Sequence, residues 1–451
     1  MSARKRIWGW YFFDWASQPY NTLVLTFIFG PYFAEVARDH FLTFGLDKQA
    51  AGAAAQSLWG WGLTLSGVLI AALAPLLGAV ADQSGRRMVW IWIFSVFYVA
   101  GSLGLWTLMP EAPALTLAVV WFGIGLIGME FTTIFTNALL PDLAHEDELG
   151  GISGSGFAFG YAGGVVSLAI MLALFAESGA TGKTLIGIEP ILGLDPALRE
   201  GTRFVGPFSA IWYVVFMIPF FLWVHEPRIP RAPVSLRRAW AELMRLIRSL
   251  PGRRSLSAYL ASSMLYRDAL NALYAFGGVY ASGVLGWSVI QIGTFGVISA
   301  VAAAVVSWIG GRADRRWGPK PVIAASVLAL IAVCLVVVGM TPDALWGIPL
   351  APGQASQIFY ACGVVIGGAG GTLQAASRTM MVRHTTPERA TEAFGIYALS
   401  GKATAFLAPA LIAGVTAITS SQRIGISPLI GLFILSLILL IWVKAEGDRR
   451  A

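Results

Sequence analysis

A basic, glycine-rich pattern occurs twice in this chain, as GAVADQSGRR at residues 78–87 and as GGRADRRWGPK at residues 310–320. Each copy places an aspartate four residues after a glycine and follows it with a second glycine and basic residues. The aspartates, Asp82 and Asp314, are 232 residues apart, which is about half of the 451 residues. A repeat on that scale predicts two halves built on the same plan and arranged in parallel.

The composition around this repeat is that of a membrane protein. Hydrophobic residues make up 57% of the chain and charged residues 12%, against roughly 25% charged in ordinary globular domains. So much apolar sequence excludes a disordered chain, and the two cysteines, Cys334 and Cys362, are too few for a disulfide scaffold. The sequence contains no phosphate-binding loop, zinc motif or nucleophile elbow, so neither an enzyme, nor an ATP-driven pump, nor a cofactor or metal is expected.

Runs of about 20 mostly apolar residues, the length that an α-helix needs to cross a membrane, occur twelve times. They lie at residues 8–34, 57–80, 88–109, 114–139, 152–176, 207–225, 257–281, 288–311, 321–340, 356–380, 391–416 and 427–443. The first run contains Asp14 and lacks a small-residue cleavage site, so it is predicted to be a retained helix and not a signal peptide. The prediction is an all-α membrane protein with twelve transmembrane helices in two pseudo-symmetric six-helix bundles.

The placement of lysine and arginine predicts the orientation in the membrane. Of the 31 basic residues, 23 fall on the predicted side of the two termini, six on the opposite side and two within spans. This bias predicts that both termini are cytoplasmic. It also explains the net charge of +7, because the basic residues are expected to contact membrane lipids. Binding of nucleic acid is therefore not expected.

The chain divides at its longest predicted cytoplasmic segment, which is also its most basic. We predict an N-terminal six-helix bundle at residues 1–226, a basic linker at 227–256 and a C-terminal six-helix bundle at 257–451. Within the linker, residues 235–250 have apolar side chains at helical spacing on one face and arginines on the other. Such a helix can lie on the inner leaflet or serve as a solvated connector, and both interpretations stay open.

The repeated pattern, between the second and third spans and again between the eighth and ninth, resembles motif A of the major facilitator superfamily. The residues that carry the resemblance are Gly78, Asp82, Gly85, Arg86 and Arg87 in the first copy, and Gly310, Asp314 and Gly318 in the second. The resemblance implies the major facilitator fold and a gating role, in which motif A holds the cytoplasmic gate in the outward-open state. We expect the aspartate to sit against a helix N-terminus and the arginines to face headgroups or carboxylates. The second copy departs from the family pattern by one extra residue before Gly318.

Further motifs resemble one branch of that superfamily, the bacterial "unknown major facilitator" proteins related to the yeast vacuolar amino-acid effluxers of autophagy. They are YFFDWA at 11–16, LPD at 140–142, SGSGFAFGY at 153–161, LYRD at 265–268, GTLQAASR at 371–378 and FGIYALSGK at 394–402. The resemblance implies secondary transport of a small polar solute, such as an amino acid, across a bacterial cytoplasmic (inner) membrane. Proton coupling and uniport both stay open, and a monomer is expected. The alternatives are a non-transporting receptor or sensor on the same scaffold, and a drug or lipid exporter.

Ionisable and amide side chains inside the predicted spans are the candidates for the substrate or proton pathway, because such groups are unfavourable at membrane depth. They are Asp14, Asn21, Glu130, Asn137, Arg267, Asp268, Asn271, Gln374 and Lys402. All four histidines lie in loops or at span ends, so proton coupling is expected to use carboxylates.

Glu130 is the first candidate for proton coupling, because Thr133 and Asn137 follow it on the same helical face. A structural salt bridge, with Lys402 or Arg267 as the partner, is the alternative. If Glu130 couples transport to protons, Lys402 or Arg267 is expected to modulate it.

The remaining candidates also have two interpretations each. Asp14 is either a contact for a substrate amine or a gate partner for a cytoplasmic arginine. Arg267 and Asp268 point about 100° apart on one helix, so they are not a simple local pair, and either side chain can line a cavity. Gln374 and Arg378 mark either the pathway or a cytoplasmic anchor, and Lys402 is expected to pair with a carboxylate or an anionic substrate group. The glycines of the fifth span are expected to allow close helix packing.

Overall fold

The computed structural model describes residues 2–179, 181–226, 250–287, 289–419 and 421–447, with scattered positions between 237 and 248. This part of the chain is helical almost throughout. The α-helices are α1 (Ala3–Pro19), α2 (Phe29–Thr43), α3 (Lys48–Ser84), α4 (Arg87–Gly104), α5 (Leu115–Asn137), α6 (Glu146–Ile170), α7 (Glu200–Arg203), α8 (Val205–Trp223), α9 (Arg254–Gly283), α10 (Val289–Trp317), α11 (Pro319–Gly339), α12 (Gln354–Arg383), α13 (Ala390–Ala403), α14 (Leu407–Thr419), α15 (Gln422–Gly425) and α16 (Pro428–Ile441).

Shorter elements join or extend these helices. Two stretches are π-helical, Tyr20–Phe27 after α1 and Met171–Phe175 after α6. Two-residue strands, β1 (Ala344–Leu345) and β2 (Ile348–Pro349), pair antiparallel in the loop after α11. Single 3₁₀ turns occur at Leu105–Thr107, Leu140–Asp142, Ile191–Gly193, Leu250–Gly252 and Pro387–Arg389.

Nine helical segments of the described residues are long and apolar enough to cross a membrane. They are Ser57–Ser84, Arg87–Thr107, Leu115–Asp142, Asp147–Phe175, Glu200–Trp223, Gln291–Trp317, Pro319–Gly339, Gln354–Arg383 and Gln422–Ile441. The other three predicted spans are helical but less regular. The first changes from α- to π-helix at Tyr20, the seventh carries Arg267 and Asp268, and the eleventh is interrupted between α13 and α14. The all-helical class is confirmed, while the number of twelve spans stays a prediction.

The chain separates by its internal contacts into two compact units. The first unit consists of Met1–Leu73, Gly85–Thr136 and Phe159–Pro230, and the second of Ala74–Ser84, Asn137–Ala158 and Arg231–Ala451. The end of α3 and the first half of α6 therefore have their contacts in the second unit. Most of the predicted amphipathic segment at 235–250 lies outside the described residues.

Aromatic rings make up much of the core of the first unit. Tyr98 and Tyr213 stack with their centroids 4.0 Å apart, and Tyr20 donates a hydrogen bond to the Phe122 carbonyl over 2.6 Å. Buried aromatic rings contribute large apolar areas, and their polar tips must find partners inside. These contacts fix the π-helical segment and α4, α5 and α8 against one another.

The π-helical segment follows a proline. Pro19 is the last residue of α1 and has no backbone N–H to donate to the preceding turn, so the regular α-helical hydrogen-bond pattern is disturbed there. The eight residues Tyr20–Phe27 then adopt the wider π-helical pattern. Stretches of this kind are frequent at functional sites.

The loop between the π-helical end of α6 and α7 is held by an ion-pair network. Arg199 contacts Glu177 and Glu35, each over 3.0 Å, and Glu177 also accepts hydrogen bonds from the hydroxyl and the backbone N–H of Thr202. This network ties the loop to α2 and α7 in the first unit.

Glycines bring the helices of the second unit close together. A Cβ at Gly368 of α12 would lie 2.8 Å from the Val306 side chain of α10, and Gly367 lies against the Ser299 backbone. Close approach of this kind is typical of membrane helices, which gain van der Waals contact where small residues meet. The pair α10 and α12 therefore forms a tightly packed centre for this unit.

Candidate substrate pathway and gating contacts

The first glycine–aspartate pattern joins the end of α3 to the beginning of α13. The Asp82 carboxylate accepts hydrogen bonds from the backbone N–H groups of Thr391, over 3.3 Å, and Glu392, over 2.8 Å. N–H groups in the first turn of a helix have no partner inside the helix, and the positive end of the helix dipole favours a carboxylate there. The predicted contact between the aspartate and a helix N-terminus is confirmed for Asp82.

Two glycines shape this contact. A Cβ at position 78 would lie 2.6 Å from the Thr391 carbonyl oxygen, so Gly78 lets the two backbones meet. Gly85 has a φ of +59° and turns the chain from α3 into α4. Arg86 is exposed beside this turn, whereas Arg87 is only 4% exposed. Of the two arginines, Arg86 is therefore the one at the protein surface.

The second copy of the pattern lies against the beginning of α6. Asp314 is buried, and a Cβ at Gly150 would lie 2.5 Å from its Cγ atom. Gly310 lies where α10 meets α12, and Gly318 turns the chain with a φ of +80°. The copies thus share a glycine at a helix contact, an aspartate near the start of another helix and a glycine in a turn. They differ because Asp314 accepts no backbone hydrogen bond from the described residues, whereas Asp82 accepts two.

The glycines of α6 allow close packing in both units, as predicted. A Cβ at Gly154 would lie 2.5 Å from the Cα atom of Gly311 in α10. Further along, a Cβ at Gly160 would lie 3.1 Å from the Cβ atom of Asp14 in α1. Asp14, a predicted pathway residue, is therefore half-buried where α1 meets α6.

In the first unit, the predicted residues Asn21 and Glu130 lie on adjoining elements. The Asn21 amide nitrogen is 3.9 Å from the sulfur of Met129, the residue that precedes Glu130. The Thr133 hydroxyl donates to the Met129 carbonyl over 2.8 Å. Asn21, Glu130 and Thr133 are all half-buried.

Asn137 is the last residue of α5 and the third residue of the polar face predicted for Glu130, Thr133 and Asn137. Its side-chain oxygen is buried and accepts no hydrogen bond from any residue in the described part of the chain. A buried amide oxygen without a partner is unfavourable, and such atoms often bind water or a ligand.

In the second unit, Arg267 of α9 packs against Tyr397 and Gly401 of α13. The Nη1 atom of Arg267 donates to the Tyr397 carbonyl over 2.9 Å, and the guanidinium carbon lies 4.1 Å from the centre of the Tyr397 ring. A Cβ at Gly401 would lie 2.5 Å from the guanidinium carbon. The arginine head group therefore fills the space that the glycine leaves on α13.

The same face of α9 continues with polar residues. Asn271 and Tyr274 follow Arg267 at helical spacing, and both are exposed, Tyr274 by 43%. The Tyr274 hydroxyl lies against Gly370 of α12, and the Gln374 amide donates to the Gly370 carbonyl over 3.4 Å. The structure thus brings the predicted Arg267, Asn271 and Gln374 to one surface of the second unit.

Three residues of this surface were missed as site residues in the sequence, namely Tyr274, Tyr397 and Gly401. Tyr397 and Gly401 lie four residues apart within FGIYALSGK, and this spacing places them on one helical face. That spacing was the available signal. Tyr274 had a weaker one, since it lies seven residues after Arg267.

Asp268 points away from this surface, in line with the predicted 100° separation from Arg267. Its Oδ2 atom accepts a hydrogen bond from the backbone N–H of Ala408 over 2.8 Å, and the residue is 2% exposed. Ala408 lies in the first turn of α14, directly after the interruption at residues 404–406. Asp268 therefore caps the second half of an interrupted helix.

Arg378 and Ser377, near the end of α12, are buried inside the second unit. Arg378 is buried over the Phe157 ring, with its guanidinium carbon 4.2 Å from the ring centre, and the Ser377 hydroxyl is 2.7 Å from that of Tyr266. Arg378 thus packs inside the second unit and does not reach out as a surface anchor. Lys402 belongs to α13, and its side chain lies outside the described part of the structure.

Comparison with known sequences agrees with this architecture. A sequence model of the family described as "Vacuole effluxer Atg22 like" matches residues 2–451. The MFS-type transporter YxiO of Bacillus subtilis is 24% identical over 442 residues, which are 97% of this chain and 94% of its own. Autophagy-related protein 22 of Cryptococcus neoformans is 22% identical over 310 residues, which are 66% of this chain and 51% of its own.

Solved structures of transporters share the fold over nearly the whole chain. The human organic anion transporter MFSD10 superimposes with a TM-score of 0.71 at 16% identity, covering 98% of this chain and 100% of its own. The proton:xylose symporter XylE gives 0.71 at 11% identity, covering 99% and 98%. FucP in its outward conformation gives 0.70 at 14% identity, covering 98% and 99%. The fold is that of the major facilitator superfamily.

Proposed function

Because this chain belongs to the Atg22-like family of vacuole effluxers, we propose that it moves a small polar solute across the cytoplasmic membrane by alternating access. The solute class is an amino acid or a similar metabolite. The driving force is a transmembrane gradient, and carboxylates inside the spans couple the movement to protons. The protein acts as a monomer with both termini in the cytoplasm.

Half-buried ionisable side chains in the middle of helices carry this proposal. Glu130 lies within α5, which is otherwise apolar over most of its length, and Arg267 lies near the middle of α9. A charged side chain at the centre of a membrane costs at least ~2.5–3.5 kcal/mol, so such residues usually face a bundle interior or a wet cavity. Each unit therefore offers one polar surface that suits a solute pathway.

The two copies of the glycine–aspartate pattern supply the proposed gate. Asp82 holds the first turn of α13, and Asp314 lies at the beginning of α6. Contacts between a carboxylate and a helix N-terminus can form and break without exposing apolar surface. In our proposal these contacts stabilise one conformation of the transport cycle and break when the protein changes to the next conformation.

Transport by purified protein in liposomes tests the proposal. Vesicles loaded with a mixture of the twenty amino acids are diluted into buffer that contains one radiolabelled amino acid, without ATP. We expect exchange of at least one amino acid, and accumulation of that amino acid when a pH gradient is imposed. Liposomes without protein are the control.

Two results would contradict the proposal. Uptake that needs ATP and ignores the pH gradient would exclude a secondary transporter. Binding of a solute without any flux would favour the receptor or sensor interpretation.

A further inference from the structure

We propose that Arg267 binds the carboxylate of the transported solute, on a surface formed by α9, α12 and α13. This inference rests on the proposed transport function and names the chemical class of its substrate. The solute is an anion or a zwitterion whose carboxylate is recognised by a fixed guanidinium.

The charge on Arg267 is not neutralised by its described contacts. An arginine side chain stays protonated in proteins, so its charge must be compensated by its surroundings. Within the described part of the chain, its hydrogen bond and its ring contact are both with Tyr397. A carbonyl and an aromatic ring stabilise a cation but do not neutralise it. An anion that arrives with the solute would complete the pairing.

The neighbouring carboxylate does not supply this compensation. Asp268 is buried, and its Oδ2 atom is bonded to the Ala408 N–H at the beginning of α14. It lies about 100° away around the helix, so it faces another part of the unit. On α13, the residue after Gly401 is Lys402, which adds positive charge to this part of the sequence.

The guanidinium of Arg267 has hydrogen-bond donors that Tyr397 does not use. The group has five N–H donors in a planar fork, and only one of them is used by Tyr397. The Tyr397 ring covers one face of the fork and holds it in place, which leaves N–H groups at its edge for a carboxylate. Gly401 makes room for this position, because any side chain there would displace the guanidinium.

Neutral polar side chains follow Arg267 on α9 and face α12. Asn271 and Tyr274 are exposed on the same face of α9, and Gln374 is half-buried on α12. These side chains are neutral hydrogen-bonding groups, so they can hold the remaining polar atoms of a solute. The fixed charge of Arg267 then sets the preference for a carboxylate over an amide of the same shape.

Ligand binding to the purified full-length protein tests this inference. The probes are the twenty amino acids, lactate and succinate, and binding is followed through the shift of the thermal unfolding midpoint in detergent. Each acid that stabilises the protein is compared with its own carboxamide. We expect the carboxamide to bind at least about tenfold more weakly, because it cannot form the charged pair with the guanidinium. A carboxamide that binds as tightly as its acid, or a screen without any stabilising acid, overturns the inference.

Variants of the pocket connect the preference to Arg267. Arg267→Gln removes the charge and should abolish the discrimination between acid and carboxamide. Arg267→Lys keeps the charge without the planar fork, so it should retain part of the discrimination between acid and carboxamide. Gly401→Ala should weaken acid binding because the new methyl group displaces the guanidinium. If Arg267→Gln does not fold, acid binding by Gly401→Ala tests the role of Arg267 instead. A variant at position 267 that folds and still discriminates as well as the wild type overturns the inference.

Arg312→Gln is the matched control. Arg312 also lies over an aromatic ring, that of Trp308 at 3.3 Å, and donates to the carbonyl of the same residue, but it is exposed on α10. Its replacement should leave the discrimination unchanged. If Arg312→Gln lowers the discrimination as much as Arg267→Gln does, the effect is general and the inference fails.

The failure of this inference can be separated from the failure of the transport proposal. Binding in detergent needs no flux, and flux in liposomes needs no knowledge of the binding residue. Discrimination that depends on Arg267 without flux would leave a carboxylate-binding protein that does not transport. Amino-acid flux that is unchanged in Arg267→Gln would leave a transporter that recognises its solute elsewhere.

Discussion

Glu130 shows how one residue can carry the coupling that we propose. It lies in α5 beside Met129, whose sulfur is near the Asn21 amide, and its side chain is half-buried. A carboxylate in this setting is stable when it is neutral, paired or hydrated. A carboxylate that changes between these states during the transport cycle would carry one proton across the membrane.

We predict that Glu130→Gln uncouples transport from the proton gradient. Glutamine keeps the shape and the hydrogen bonding of the side chain but cannot titrate. Accumulation driven by an imposed pH gradient should disappear, while exchange of the solute down its own gradient persists. Both activities are measured in proteoliposomes.

The control for this variant is Glu111→Gln, which changes an exposed carboxylate in the loop after α4. It should accumulate solute as the wild type does. If Glu130→Gln still accumulates solute in response to pH, then Asp14 becomes the next candidate. If the variant does not fold, Glu130 has the structural salt-bridge role instead.

At the scale of elements, the interrupted helix made of α13 and α14 is the most informative. Each half has its first turn held by a carboxylate from another helix, Asp82 for α13 and Asp268 for α14. The two contacts have similar chemistry but different surroundings, because Asp268 is buried and Asp82 is half-buried. We therefore expect them to have different roles, gating for the first and structural support for the second.

We predict that Asp82→Asn slows turnover and leaves solute affinity nearly unchanged. Asparagine still accepts a hydrogen bond but loses the charge that favours the helix N-terminus, a change of about 1 kcal/mol, or roughly five- to tenfold in a rate. Turnover at saturating solute and the dissociation constant are measured separately. Asp39→Asn, at an exposed ion pair with Arg38, is the control. A strong loss of affinity with normal turnover would contradict the gating role.

We predict that Asp268→Ala lowers the thermal unfolding midpoint while the preference for acids over carboxamides persists. Loss of the cap leaves the Ala408 N–H buried without a partner, which costs about 1–2 kcal/mol of unfolding free energy. Asp268→Asn, which can still accept the hydrogen bond, should lose less stability. Unchanged stability together with lost solute binding would instead make Asp268 a pathway residue.

The sequence predicts these elements unevenly, for physical reasons. Most spans could be located because apolar length alone determines them. The contact of Asp82 with a helix N-terminus was expected from the resemblance to motif A and from the helix dipole. The change to a π-helix at Tyr20 was not predicted, although Pro19 was a local signal for it. The interruption at residues 404–406 was not predicted because it depends on a tertiary contact, that of Asp268 with Ala408. The arrangement of Arg267 on Tyr397 was missed for the same reason, since it joins residues that are 130 positions apart.

For the whole molecule, the strong bias of lysine and arginine predicts the orientation in the membrane. The two native cysteines, Cys334 and Cys362, are both buried, so they should not react with a membrane-impermeant maleimide. Single added cysteines can therefore report which side of the membrane each loop faces.

We predict that Leu185→Cys reacts with the maleimide in intact cells, whereas Trp317→Cys reacts only after the membrane is permeabilised. Leu185 is 77% exposed in the loop after α6, and Trp317 is 65% exposed at the end of α10. The first position is predicted to face outward and the second to face the cytoplasm. The unmodified chain is the control, and the reverse labelling pattern would contradict the predicted orientation.

The interrupted helix also contains two backbone amides whose deuterium exchange can be measured separately. Because a side-chain carboxylate holds the N–H of Glu392 and that of Ala408, deuterium exchange at each amide reports how often that contact opens. Equal exchange rates at the two amides would mean that α13 and α14 move together as one rigid unit. Faster exchange at Glu392 would mean that α13 loosens while α14 stays in place. The break at residues 404–406 would then act as a hinge between a mobile and a fixed segment of the same span.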